Sequence, residues 1–173
     1  MKFLVSFCLS IAVSVAVYAQ ASAPTADEVL KPAMAKAGRE GKNVLLIFHA
    51  SWCGWCRKMD SSLHDASIKK AIDRNYEIVH LNVYESPGKK ALENPGALDF
   101  LTKNGGADKG IPYWYVLDKN GNILADSQIK PGQNCGCPAS EEEVAYFIGV
   151  LSKTAHVSKD ELEAVRKRFR LNE

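Results

Sequence analysis

Hydrophobic residues recur at helical spacing in some segments and run continuously in others, which predicts alternating helices and strands. Apolar residues at helical intervals follow a capping-box sequence at Thr25 and predict a first helix that ends near Gly41, with Pro32 forcing a late start or a kink. The continuous apolar run at residues 44–48 predicts a strand buried on both faces. That strand leads directly into the sequence Ser-Trp-Cys-Gly-Trp-Cys at residues 51–56, which therefore lies at a strand-to-helix junction.

The rest of the chain continues the alternation. The pattern predicts a helix at residues 53–75 with a break near 64–65, a strand at 76–84, a surface loop at 86–96 and a helix around 98–101. Strands at 110–117 and 122–126 flank an Asn-Gly turn and are expected to pair as an antiparallel hairpin. A loop at 127–139 precedes two helices that open with capping boxes at Ser140 and Ser158. The predicted order is α-β-α-β-α-β-β-α, followed by a further C-terminal helix.

The N-terminus has the pattern of a secretory signal peptide. A short positive start at Met1 and Lys2 is followed by an apolar run at 3–17 and by small residues up to Ala19. The run is shorter than the roughly 20 residues that span a bilayer, so an uncleaved anchor is the less favoured alternative. We therefore expect residues 1–19 to be removed, leaving a periplasmic or secreted protein with no membrane attachment.

Composition narrows the class of protein. With 46% hydrophobic residues in a chain of 173, the composition is that of one globular domain. The 22 basic and 20 acidic side chains leave a net charge of only +2, and no basic stripe with interleaved aromatic residues occurs, so we expect no nucleic-acid partner.

Four cysteines remain after the predicted cleavage removes Cys8: Cys53, Cys56, Cys135 and Cys137. Disulfides persist in exported proteins, so pairing is the default expectation. The C-x-x-C and C-x-C spacings each close a very small loop and restrict the unfolded chain little. Bridges of this kind point to chemistry rather than to stabilisation.

The order of elements and two motifs together resemble the thioredoxin superfamily. The motifs are Trp-Cys-Gly-Trp-Cys at 52–56 and Gly-Ile-Pro at 110–112, which is similar to the cis-proline loop of that family. The resemblance implies an α/β thioredoxin-like fold, with a central mixed sheet of about four to five strands flanked by helices and an extra C-terminal helix. It implies a linker at 20–26 and a domain at 27–173, with its core at about 27–152 and a helical extension at 153–173.

The resemblance also implies a reaction. Cys53 is expected at a helix N-terminus, where backbone N–H groups and the helix dipole favour its thiolate, so it is the nucleophile. Cys56, one turn further on and expected to be more buried, resolves the mixed disulfide. Pro112, if cis, sets the backbone of Ile111 beside the sulfurs for pairing with an extended substrate, and Trp52 shields the site. The alternative is that Trp52 and Pro112 have only structural roles.

Two features depart from the family pattern. The buried acid of thioredoxins falls here on Ile47 and the neighbouring lysine falls on His80, so we hypothesise that His49 or His80 accepts the proton of Cys56. The alternative is that both are ordinary strand histidines.

Cys135 and Cys137 have no counterpart in the matched motifs. A local disulfide that fixes their loop is the favoured interpretation, and a second redox couple that relays electrons to or from Cys53 is the alternative. A zinc site built from all four thiolates is a less favoured alternative, because Cys135 and Cys137 have C-x-C spacing rather than the wider spacing usual for zinc ligands.

We therefore predict an exported protein thiol-disulfide oxidoreductase, acting as a reductase or an isomerase on protein disulfides with a redox partner protein. Trp55 adds no positive charge to the motif, and Ile111 precedes the proline as in reducing thioredoxins, so the couple is expected to be reducing. No cofactor and no metal are expected. The alternatives are a redox-inactive module that binds unfolded chains and a metal-handling protein that uses both cysteine pairs.

Overall fold

The computed structural model describes residues 23–173, so the predicted signal peptide and Cys8 lie outside the described residues. The α-helices are α1 (Ala26–Glu40), α2 (Gly54–Leu63), α3 (Lys69–Asn75), α4 (Ala97–Lys103), α5 (Glu141–Thr154) and α6 (Lys159–Arg170). The strands are β1 (Asn43–His49), β2 (Tyr76–Asn82), β3 (Tyr113–Leu117), β4 (Ile123–Asp126), β5 (Gln128–Lys130) and β6 (Gln133–Asn134). None of the helices within 23–173 combines the length and apolarity that a membrane crossing requires.

Four strands form the central sheet in the order β2-β1-β3-β4. Strand β1 runs parallel to β2 and antiparallel to β3, and β4 continues from β3 as the antiparallel hairpin that the Asn-Gly turn predicts. The mixed sheet expected from the sequence is therefore confirmed.

Helices cover both faces of this sheet, which is why β1 and β3 are continuous apolar runs. On one face, α1 and α4 pack against alternate residues of β1 and β3, including Phe48 and Tyr115. On the other face, α2, α5 and α6 pack against the remaining residues, including Leu45 and Trp114. The C-terminal helix contributes Val165 and Phe169 to the second cluster, so it is part of the packed core.

Two local expectations are wrong. Of the two effects expected of Pro32, the late start is wrong, because helix α1 begins at Ala26, directly after the Thr25 capping box, and continues through Pro32. Pro32 is exposed, so the carbonyl that loses its usual donor lies near solvent. The segment expected to be a loop at 127–139 contains a small antiparallel hairpin, β5–β6, whose strands are too short to give a period in the sequence.

Candidate active site

Cys53 and Cys56 are joined by a disulfide at the N-terminus of α2. Cys53 is the N-cap residue, and its Sγ accepts a hydrogen bond of 3.1 Å from the backbone N–H of Cys56. This N–H is one of the helix donors that have no partner within the helix. The same donor and the helix dipole would stabilise a negative sulfur on Cys53 after reduction.

Cys53 and Cys56 are equally buried, each with 3% of its surface exposed. The expectation that Cys56 is the more buried residue is therefore wrong for this disulfide form. The reason is that Cys53 is covered as well: Ala50 and Ile111 pack against both cysteines in one small apolar cluster.

The turn that carries the motif is held by a buried carboxylate from a distant part of the chain. Glu85, only 3% exposed, accepts hydrogen bonds from the backbone N–H of Ser51 at 2.6 Å and from its hydroxyl at 2.8 Å. The backbone N–H of Cys53 donates to the carbonyl of Ala50 at 3.0 Å and closes the turn. The sequence pattern does not reveal this role of Glu85, because no motif connects it to Ser51 across 34 residues.

The segment around Pro112 lies against the sulfurs. The Ile111–Pro112 peptide bond is cis, and the carbonyl oxygen of Ile111 is 3.7 Å from the Sγ of Cys53. The backbone of Ile111 is thus next to the atom that a substrate disulfide would approach.

Two indole rings belong to the motif, Trp52 directly before Cys53 and Trp55 between the two cysteines. Both are exposed, Trp52 by 55% and Trp55 by 49%. The indole N–H of Trp52 donates to the carbonyl of Tyr84 at 2.8 Å, and the ammonium group of Lys58 lies 4.3 Å from the centroid of the Trp55 ring. These contacts hold two large apolar surfaces beside the reactive sulfurs.

Cys135 and Cys137 are free thiols in the structure, so the local disulfide favoured by the sequence is not formed. Both residues are buried, with 5% of each exposed. Burial raises the pKa of the Cys137 thiol to about 12, and burial with the charge of Glu143 raises the pKa of Cys135 further. The physical reason for the missing bond is that burial disfavours the thiolate, which is the species that forms a disulfide. The backbone N–H of Cys135 donates to the carbonyl of Ser127, and the Cys137 sulfur accepts from the side-chain amide of Asn172.

The segment at 135–137 is tied to the proline loop and to the core. The side-chain amide of Asn134 donates to the carbonyls of Lys109, Gly110 and Pro112 at 3.0–3.2 Å. The indole N–H of Trp114 donates to the carbonyl of Gly136 at 2.9 Å. Together with Trp55 and Ile111, the segment lines a groove beside the redox motif.

The end of the C-terminal extension connects the same segment to α2. The side-chain amide of Asn172 donates to Ser62 at 3.0 Å, to the Cys137 sulfur at 3.4 Å and to the Pro138 carbonyl at 3.3 Å. Its backbone carbonyl accepts from the ammonium group of Lys58 at 3.0 Å. The extension therefore holds the helix of Cys56 and the segment of Cys137 together.

His49 and His80 are brought together on neighbouring strands, with ring centroids 4.9 Å apart. His80 Nε2 is 2.7 Å from a carboxylate oxygen of Asp60, a residue of α2. Burial would raise the pKa of Asp60, but its hydrogen bond to His80 and the nearby histidine charges prevail and lower it. Burial, together with the charge of His80, lowers the pKa of His49. Asp60 was not among the predicted site residues, although its position four residues after Cys56 was a usable signal.

The structure does not bring the cysteine pairs into a metal centre. Within residues 23–173, no group of three or more His, Cys, Asp or Glu side chains is arranged to hold a metal ion.

Removing the second cysteine pair tests whether it takes part in electron transfer. We expect a Cys135→Ala, Cys137→Ala variant to keep the redox midpoint of Cys53–Cys56, because buried thiols with raised pKa are poor nucleophiles. The free energy of unfolding should fall by about 1–3 kcal/mol through lost packing. Thiol trapping in glutathione buffers measures the midpoint, and denaturant unfolding measures the stability. Loss of turnover in a folded variant would instead favour the relay.

Comparisons with known proteins agree with the thioredoxin-like fold and with the disulfide at Cys53 and Cys56. Residues 25–119 match the model of a family described as thioredoxin-like. The chain is 32% identical over 69 residues to a protein disulfide-isomerase of Hordeum vulgare, covering 39% of this chain and 14% of that protein. It is 30% identical over 103 residues to protein disulfide isomerase-like 1-3 of Oryza sativa subsp. japonica, covering 57% of this chain and 16% of that protein. The chain thus spans a small part of these relatives.

A solved structure shares the architecture. A disulphide isomerase from Xylella fastidiosa Temecula1 superposes with a TM-score of 0.50 at 23% identity, over 83% of this chain and 88% of that one. This likeness concerns the fold alone and agrees with the thioredoxin-like architecture predicted from the sequence.

Proposed function

Because the chain belongs to the thioredoxin-like family, we propose that it is an exported thiol-disulfide oxidoreductase that reduces or isomerises protein disulfides. The observation that carries the proposal is the Cys53–Cys56 disulfide at the N-terminus of α2, with the Ile111 carbonyl 3.7 Å from the Cys53 sulfur. The names of the barley and rice relatives support the same chemistry.

Catalysis begins from the dithiol form. The Cys53 thiolate, stabilised at the helix N-terminus, attacks one sulfur of a substrate disulfide, and the other substrate sulfur leaves as a thiolate. The resulting bond joins Cys53 to the substrate. Cys56 then loses its proton and attacks the Cys53 sulfur, which forms the Cys53–Cys56 disulfide and releases the second substrate sulfur as a thiolate. Two electrons pass to the substrate, and a redox partner must return them for the next turnover.

Substrate recognition uses the surface around the sulfurs. The backbone of Ile111 lies beside the Cys53 sulfur, where it can pair with an extended substrate chain, and the exposed rings of Trp52 and Trp55 can offer apolar contacts. A protein segment, rather than a small thiol, therefore fits this surface. The signal-peptide pattern at residues 1–19 supports action in the periplasm or outside the cell.

The direction of electron flow is tested by the reduction potential of the Cys53–Cys56 pair. We expect a midpoint near the thioredoxin value of about −270 mV, because Trp55 adds no positive charge that would stabilise the thiolate. Thiol trapping with intact mass and peptide mapping, on mature protein equilibrated in glutathione buffers, gives the midpoint. A midpoint near about −120 mV would make the protein an oxidant and contradict the proposed direction.

The exposed rings of Trp52 and Trp55 favour one second function, the binding of unfolded chains without redox chemistry. A Cys53→Ser, Cys56→Ser variant separates the two. If the dithiol wild type fails to reduce a protein disulfide while this variant still binds a reduced, unfolded chain, the binding module is the correct function.

A further inference from the structure

Asp60, His80 and His49 form a cluster of titratable side chains on the α2 side of the sheet. His80 Nε2 lies 2.7 Å from Asp60 Oδ1, and the ring of His49 is 4.9 Å from that of His80. Asp60 and His80 are both part-buried, with 36% and 27% of their side chains exposed. The exchange reaction alone does not account for this cluster.

One member of the cluster, Asp60, lies on the same helix as the resolving cysteine. Asp60 follows Cys56 by four residues on α2, and residues four apart occupy neighbouring positions on the same face of a helix. Cys56 is almost wholly removed from solvent, since only 3% of its surface is exposed. Its thiol therefore needs a nearby group to take up its proton before it can attack Cys53.

We propose that His80, oriented by Asp60, takes up the proton of the Cys56 thiol when Cys56 resolves the mixed disulfide. The inference rests on the proposed function, because it concerns a step of that reaction. Cys56 gives up its proton, its sulfur attacks the Cys53 sulfur, and the bond from Cys53 to the substrate breaks. The electron pair leaves on the substrate sulfur, and the proton on His80 passes to solvent.

The chemistry of the pair explains why it suits this task. An ionised carboxylate only accepts hydrogen bonds, so neutral His80 donates its Nε2–H to Asp60 and keeps the lone pair on Nδ1. Nδ1 takes part in none of the hydrogen bonds of the described residues. When Nδ1 gains a proton, the Asp60 carboxylate stabilises the resulting imidazolium. The lowered pKa of Asp60 keeps that carboxylate ionised.

The neighbouring charges favour His80 over His49 as the acceptor. His49 has no carboxylate within hydrogen-bond distance among residues 23–173, and burial lowers its pKa. The charge of His64, the residue that caps the C-terminus of α2, also acts on Asp60, and Asp60 in turn acts on Cys137. The charge of Glu85 acts on His49. Near His80, Lys36 of α1 and Glu77 of β2 form an ion pair of 2.8 Å, so their charges neutralise each other.

The test uses reduced full-length mature protein and 5,5′-dithiobis(2-nitrobenzoate) in a stopped-flow experiment. The first release of thionitrobenzoate reports attack by Cys53, and the second reports resolution by Cys56. We expect Asp60→Asn and His80→Gln to slow the second release by roughly 100-fold at pH 7, the low end of what a positioned acid or base contributes. The first release should keep its wild-type rate, which also shows that the variants are folded.

The pH profile distinguishes proton transfer from a structural effect. The deficit should shrink as the pH rises, because hydroxide can then take up the Cys56 proton without the histidine. His156→Gln, an exposed histidine between α5 and α6, serves as the matched control and should match the wild type in both releases. If Asp60→Asn and His80→Gln resolve at the wild-type rate at every pH, the inference fails while the proposed function stands. If the wild type shows no release from Cys53, the proposed function itself fails.

Discussion

A Cys56→Ser variant is expected to stop after the first chemical step and to accumulate a covalent complex with its substrate. Cys53 can still attack, because its stabilisation by the N-terminus of α2 comes from the backbone N–H of residue 56 rather than from the Cys56 side chain. Release then depends on an external thiol, so turnover should fall by about 10³-fold or more. Non-reducing gels and intact mass detect the complex, and the reduction of a protein disulfide measures turnover.

Cys53→Ser is the matched variant for this experiment, since it removes the other sulfur of the same disulfide. It should lose turnover to a similar extent and form no covalent complex, because Cys56, the third residue of α2, does not cap the helix N-terminus as Cys53 does. Equal trapping by both variants would show that either cysteine can act as the nucleophile. That result would contradict the roles assigned to the two residues.

The main strands and several helix starts could be predicted from patterns that are visible in the sequence. Strands β1 and β3 are covered on both faces, so their apolar runs identify them without any periodicity. The capping boxes at Thr25, Ser140 and Ser158 place three helix starts, and all three are present in the structure. The β5–β6 hairpin was missed because its two- and three-residue strands are stabilised by contacts with the rest of the protein, not by their own pattern.

Some residues of the candidate site could likewise be predicted from the sequence, and others could not. Cys53, Cys56 and Ile111 could be placed because a local motif fixes each of them, and the structure brings all three together. Glu85 and Asn134 could not, because their hydrogen bonds join segments far apart in the chain and leave no spacing to read. The free state of Cys135 and Cys137 could not be predicted either, because it depends on how deeply the fold buries both thiols.

Asp60 lies between these cases. The strand position that carries an acid in thioredoxins holds Ile47, so the sequence indicated only the two strand histidines as proton acceptors. The structure shows that a carboxylate reaches His80 from the helix instead of from the strand. The helical spacing of Asp60 from Cys56 is visible in the sequence, so this position could have been predicted.

Replacing Trp114 is expected to cause a large loss of stability, because its ring links the core to the segment at 135–137. The ring is fully buried, packs against Phe147 with centroids 5.5 Å apart, and donates a hydrogen bond to the Gly136 carbonyl. Trp114→Ala removes this packing and leaves a cavity, so the free energy of unfolding should fall by about 3–5 kcal/mol. Denaturant unfolding followed by circular dichroism measures the change.

Two comparison variants separate packing from hydrogen bonding at this position. Trp114→Phe keeps much of the ring but leaves the Gly136 carbonyl without its donor, so it should cost about 1–3 kcal/mol. Trp55→Ala makes the same substitution at an exposed ring and should change stability by less than about 1 kcal/mol. If Trp114→Ala were as mild as Trp55→Ala, the indole of Trp114 would not be the link between the core and the segment at 135–137. The groove beside the redox motif would then have to be held mainly by Asn134 and Asn172.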